Sequence, residues 1–236
     1  MVGAWGTVPR KGVKMAFVVA IDGPAGTGKG TVTKIIAKDL GLINIETGAM
    51  YRCVALEALG KNVEPVECDE LLQILEDIDI KLIKKEDLQE VWLNGENVSK
   101  LIKTPEIDSC VAKYASLKCV RDKVTPLQRK MGENGNVIME GRDIGTVVFP
   151  DADVKIYLDC SIEERANRRY KQYLEKGVEI SYEEVLETIK KRHKAETERE
   201  IAPLRQAEDA ILVDSTSLTI EEVVEKIENI IKEKKK

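Results

Sequence analysis

The chain is poor in aromatic residues: two Phe, two Trp and six Tyr make up 4% of 236 residues. A core built from this composition must be aliphatic, which disfavours an aromatic-rich sandwich and suits a buried parallel sheet. No apolar run approaches the ~20 residues of a membrane-spanning helix, so no membrane partner is expected. A basic surplus is also missing, with 37 Lys and Arg against 42 Asp and Glu and a formal net charge of −5. Nucleic-acid binders carry a basic footprint, so none is expected here, and any phosphate ligand must be met by local clusters of Arg and Lys. The five cysteines (Cys53, Cys68, Cys110, Cys119, Cys160) form no C-x-x-C pair. That argues against a disulfide framework and a zinc site, and for reduced thiols in a cytoplasmic protein. Residues 1–14, MVGAWGTVPRKGVK, lack the apolar stretch of a signal peptide and are expected to be a disordered leader ahead of Met15.

What is present is alternation of strand and helix. MAFVVAID (15–22) is an apolar run ending in a turn signal, and TVTKIIAKDLG (31–41) puts Val32, Ile35, Ile36 and Leu40 at helical spacing before a stopping glycine. LINIE (42–46) reads as a second strand, followed by a helix with Thr47 as N-cap running to about Leu59. The middle differs: DIDIKLIK alternates with period two and QEVWLNGENV carries an Asn-Gly turn, predicting an antiparallel hairpin over 78–98 inside an inserted subdomain, with Trp92 in its core. Helices over 105–117 and 120–132 follow, then core strands in NVIMEGRD and VKIYLD. Charged helices over 161–176 and 181–200 are separated by Gly177, and strand 210–214 precedes a closing amphipathic helix. One α/β core with appendages accounts for this length and order.

The chemistry sits in GPAGTGKGT, residues Gly23, Pro24, Ala25, Gly26, Thr27, Gly28, Lys29, Gly30 and Thr31. Between strand and helix, such a loop surrounds a phosphate with backbone N–H groups while its lysine reaches the outer phosphates. The spacing fits G-x-x-x-x-G-K-[ST] except that Gly30 stands where a magnesium-ligating hydroxyl is usual and the hydroxyl arrives at Thr31. Lys29 and Gly30 break any dinucleotide fingerprint. Arg165, Arg168 and Arg169 share a helix face, as do Arg192, Glu196 and Arg199. Each set reads either as a solvated ion-pair ladder or as a polyanion-binding cluster. His193, the single histidine, has no triad partner in view and reads as a surface residue.

The loop form G-x-x-G-x-G-K-G-T resembles the nucleoside monophosphate kinases. ETGAMYR (46–52), EGRDIGTVVFPDADVKIYLD (140–159), ERANRR (164–169) and REIAPLRQAEDAILVDST (199–216) make the chain similar to the bacterial cytidylate kinases from about residue 16 onward. The resemblance implies a P-loop NTPase-type α/β fold: a five-stranded parallel sheet flanked by helices. Its core would comprise 15–59, 133–160 and 204–236, with a monophosphate-binding insertion over about 60–132 and a helical lid over about 161–203. It implies ATP with Mg²⁺ as donor, CMP and dCMP as acceptors, and a monomer. Lys29, Arg142, Arg192 and Arg199 would be catalytic, and the loop with Arg168 would bind ATP. Thr47 would belong to the acceptor-binding turn, Arg52, Arg142 and Arg192 would meet the acceptor phosphate, Arg121 and Asp143 the cytosine, and Glu196, at the ribose, and Arg199 would bind CMP from the lid cluster. Glu140 would act on the metal through water. Three positions depart from the family pattern: Ala112 where serine is common, Glu196 in place of Asp in the lid motif, and Glu140 where Asp is frequent. Another small-molecule kinase of the same loop type, or a nucleotide-binding regulator without turnover, is the alternative.

Overall fold

The computed structural model describes residues 17–235 apart from 86, 87, 134 and 176, so the leader and Met15 lie outside the described residues. Strand β1 (Val18–Asp22) is buried at every position. It pairs in parallel with β6 (Val137–Gly141) on one side and β7 (Val154–Asp159) on the other. A strand covered on both faces reads as a continuous apolar run, which is why VVAID shows no alternation. Strands β2 (Ile43–Glu46) and β8 (Ile211–Asp214) complete a five-stranded parallel sheet in the order β2-β6-β1-β7-β8. The pleat divides β1: Val19 and Ile21 pack with Val32 and Ile36 of α1 (Lys29–Leu40) and Ile227 and Ile231 of α8 (Ile220–Lys234). Val18 and Ala20 face the opposite layer with Met139, Ile144 and Val148. The register Ile21↔Glu140 and Asp22↔Gly141 brings the carboxyl ends of β1 and β6 side by side. Ligands of open α/β sheets bind outside such ends.

A second hydrophobic core lies apart from the sheet, and it begins ahead of residue 60, where the insertion was expected to start. Helices α2 (Gly48–Gly60), α3 (Asp69–Asp77), α4 (Pro105–Tyr114) and α5 (Lys118–Gly132) enclose Met50, Val54, Leu71, Ile107 and Val124. The expected hairpin is a three-stranded sheet of β3 (Ile80–Lys85), β4 (Leu88–Leu93) and β5 (Glu96–Asn97). Its Asn94-Gly95 turn, with φ of 50° and 88°, joins β4 to β5 and not β3 to β4. Trp92 is also not in the hairpin core: Val91 and Leu93 are buried there, while Trp92 is half-buried on the other face and donates to Glu90 at 3.0 Å. Thr47 precedes α2 as expected but does not cap it, because its hydroxyl donates instead to the Glu140 carbonyl at 2.7 Å.

The two charged helices are α6 (Ile162–Glu175) and α7 (Tyr182–Glu198), the latter opened by a capping box between Ser181 and Glu184. Between them lies an apolar seam of Ala166, Val185 and Ile189 with Tyr170, Tyr173 and Leu186 around it. That seam lets a strongly charged segment hold its shape over the carboxyl ends of the sheet.

Candidate active site

The phosphate loop is held in a shape only its glycines permit. A side chain on Gly23 would start 2.0 Å from the Leu158 carbonyl oxygen, and Gly28 enters α1 in the left-handed region at φ 89°. Lys29 is 6% exposed and its ammonium donates to the carbonyls of Gly23 and Pro24 at 2.7 Å each and to the Thr27 hydroxyl at 3.2 Å. Burial pulls its pKa well below the ordinary lysine range, Arg142 adds to that, and Glu140, Glu196 and Asp22 oppose it. Gly30 answers for the missing hydroxyl. A Cβ there would come within 3.2 Å of the Glu140 carboxylate, so an acidic group stands against the position where related loops carry Ser or Thr. Thr31 is exposed one residue further on. Arg168 crosses from α6 to donate to the Thr27 carbonyl at 3.1 Å, the Ser215 carbonyl at 2.8 Å and the Glu164 carboxylate at 2.8 Å. Arg165, from the same helix face, is buried behind Gly26 instead.

Beyond β6 the chain turns sharply, and Asp22 fixes that turn. Its carboxylate accepts from the backbone N–H of Ile144 at 2.8 Å and of Gly145 at 2.7 Å, and burial lifts its pKa to about 6 against those two bonds. The result is a rigid platform for Arg142 and Asp143. Asp143 pairs with Arg121, which also donates to the Ala115 carbonyl at 3.1 Å and lies 5.5 Å from the Tyr51 ring centroid. Burial raises the Asp143 pKa, and Arg121, Arg199 and Arg142 restrain the rise. Arg199 approaches Asp143 to 3.6 Å with Nη2, too far for a hydrogen bond, and that nitrogen is buried without a hydrogen-bond partner.

Two carboxylates organise the remaining arginines. Glu196 receives Arg142 at 3.0 Å and Arg192 at 3.0 Å, and although burial alone would raise its pKa, the two guanidinium groups hold it down to about 2. Asp108 receives Arg52 at 2.5 Å and Arg169 at 3.1 Å. All these groups, with Thr47, Ala112 and Glu140, line one cleft of about 860 Å³. Gly23 and Pro24 lie outside the lining and serve it through the carbonyls that hold Lys29. Every site residue expected from the sequence therefore converges on this cleft or its floor. Asp22 and Asp108 were missed. An acid closing an apolar strand was the available signal for Asp22. Asp108 offered none, since its partners are 56 and 61 residues away.

A phosphate loop at the carboxyl edge of a five-stranded parallel sheet, faced by an arginine-lined cleft and overhung by a helical pair, defines a P-loop kinase of the nucleoside monophosphate kinase class. The family model for cytidylate kinase matches residues 19–233. The cytidylate kinase of Carboxydothermus hydrogenoformans is 51% identical over 213 residues, covering 90% of this chain and 96% of that protein. That of Bacillus subtilis is 46% identical over 216 residues, covering 92% and 96%. Among solved structures, an uncharacterized protein from Eubacterium ventriosum shares the fold alone, at 12% identity and a TM-score of 0.50 over 92% of this chain and 98% of its own. The chain belongs to the cytidylate kinase family.

Proposed function

We propose that the protein transfers the γ-phosphoryl group of ATP to CMP and dCMP, giving ADP with CDP or dCDP. The observation that carries this reading is the Arg121–Asp143 pair buried in the same cleft as the phosphate loop. Cytosine presents an amino donor at N4 beside acceptors at N3 and O2, so a carboxylate and a guanidinium side by side match its edge. Uracil puts a carbonyl where that amino group was and meets Asp143 as one acceptor facing another. Family membership supports the same assignment.

The transferring phosphoryl group needs alignment and charge neutralisation more than covalent help. Lys29 and the loop amides would hold the donor phosphates, and Arg168, braced on the loop and on Ser215, would steady the donor nucleotide. Arg52, Arg142 and Arg192 would grip the acceptor phosphate with Thr47 at its turn, while Glu196 and Arg199 would close the site from the lid. Ala112 lines the cleft without a hydroxyl, so base reading rests on Asp143 and Arg121, with the bond a serine there would make either missing or supplied by another group. The insertion over 60–132 would carry the acceptor and the segment over 161–203 would close over both nucleotides, excluding water that competes for the phosphoryl group.

Magnesium fits the residues present. Glu140 is buried, makes no hydrogen bond through its carboxylate among the described residues, and is pushed above the ordinary range by burial and Glu46 against the pull of Lys29. No group of three acidic, His or Cys side chains that could hold an ion is found among the described residues. A cation that keeps most of its waters and binds through one carboxylate and substrate phosphates suits that arrangement. Glu140 would hold it through water, and bound there Mg²⁺ would neutralise charge on the phosphate oxygens. The test is an ADP-release assay with CMP, dCMP, UMP, AMP and shikimate as acceptors. Turnover with CMP and dCMP far above UMP is expected. ADP release with shikimate alone would identify a different small-molecule kinase, and no release with any acceptor would leave a nucleotide-binding regulator.

A further inference from the structure

Arg52, one of the arginines assigned to the acceptor phosphate, already has an anionic partner inside the chain. Asp108 sits in the first turn of α4 and lines the cleft. One of its carboxylate oxygens takes Nη2 of Arg52 at 2.5 Å and the other takes Nη2 of Arg169 at 3.1 Å. Arg52 cannot swing to free that edge without loss, because its Nη1 is tied to the Ile102 carbonyl at 2.9 Å. The side chains of Arg52, Asp108 and Arg169 are 18%, 23% and 31% exposed, so the group is largely withdrawn from solvent and worth more than a surface ion pair. Arg52 lies on α2 and Asp108 on α4, whereas Arg169 belongs to α6, so the same carboxylate links those two helices to the helical pair that overhangs the cleft.

We propose that Asp108 competes with the acceptor phosphate for Arg52, and thereby sets the affinity for the nucleoside monophosphate. This rests on the reading of Arg52 as an acceptor-phosphate ligand. A phosphate presents to a guanidinium edge the same paired oxygens as a carboxylate, with more charge. To take the Nη2 edge of Arg52 it must displace Asp108, and the free energy of the carboxylate contact is subtracted from binding. The opposing possibility is that Asp108 orients Arg52 for the phosphate and assists binding. The two predict opposite signs when the carboxylate is neutralised, so a single substitution decides between them.

The experiment compares wild type with Asp108→Asn and, against a folding defect peculiar to the amide, Asp108→Ser. Steady-state kinetics with CMP at saturating ATP give KM and kcat separately, and titration with inorganic phosphate gives anion affinity without turnover. Competition requires KM for CMP to fall threefold or more and inorganic phosphate to bind at least threefold tighter in the variants. A rise in KM, a smaller fall, or unimproved phosphate binding would overturn it. Failure of the functional reading is separate: it shows as absent turnover of CMP by wild type, while the phosphate titration still reports whether Asp108 competes.

Discussion

Glu196→Gln replaces a carboxylate that two arginines share with a neutral amide of the same shape. Glu196 is 5% exposed, and both guanidinium groups approach it at 3.0 Å. Its pKa of about 2 against an ordinary 4.5 measures how much the fold prefers the ionised form: at ~1.36 kcal/mol per pH unit the gap amounts to about 3 kcal/mol. Glutamine keeps one carbonyl acceptor but turns an amino group toward the other arginine, so the expected loss at pH 7 is about 2–3 kcal/mol. For a protein of this size that lowers the melting temperature by about 5–10 °C. The pH dependence gives a second check. A depressed carboxylate pKa contributes stability that is complete above the unfolded value and is lost as pH falls toward the folded one. The gap between wild type and variant should therefore be constant from pH 6 to 8 and narrower by about 1 kcal/mol at pH 3.5. Urea unfolding at pH 7 and 3.5 measures both. A loss below about 0.5 kcal/mol at pH 7, or a gap that does not narrow in acid, would refute the shared-carboxylate account.

Lys29→Met should fold and lose at least tenfold in kcat, ~1.4 kcal/mol in the transition state, as steady-state assay beside circular dichroism would show. Because burial and Arg142 lower the Lys29 pKa, donor phosphates that restore its charge should drive proton uptake on ATP binding at pH 8. Calorimetry in buffers of different ionisation enthalpy reads that uptake, which should vanish in Lys29→Met. Asp143→Asn should collapse the ratio of kcat/KM for CMP over UMP, and an unchanged ratio would move base reading elsewhere. Arg199→Ala should lower kcat about 10²-fold with a smaller effect on CMP affinity, and Lys should rescue it poorly because it loses the planar fork. Hydrogen exchange over 161–203 should slow when ATP and CMP are added together, and equal protection with and without them would rule out closure.

How much of this was legible depended on the range of the interactions. VVAID, the glycine loop and the helix stopping at Gly41 could be read directly, because buried strands, tight turns and helix ends are local properties of chain and side chain. Helix α3 escaped notice: its buried residues are Leu71, Ile74 and Leu75, too few in nine positions to establish a period. Strand β5 is two residues long, and the Asn94-Gly95 dipeptide marks a reversal locally without marking which strands it joins. The direction of each arginine was beyond local reading as well. Arg165, Arg168 and Arg169 share spacing and chemistry, yet one is buried behind the loop, one donates to the Thr27 carbonyl within it and one reaches Asp108.

The same distinction bears on the shift in the glycine loop. Gly30 and Glu140 each look like a separate departure in the sequence, a hydroxyl lost here and a longer acid gained there. The pairing of Ile21 with Glu140 aims the end of β6 at the first turn of α1, and a Cβ on Gly30 would meet the Glu140 carboxylate at 3.2 Å. The contact leaves little room for a side chain at 30 while Glu140 stays extended toward it. A glutamate reaches one methylene further than an aspartate, so the side-chain-free position and the long acid are complementary. Read together they form one arrangement: the loop gives up its own hydroxyl, and the neighbouring strand supplies an acid at that place.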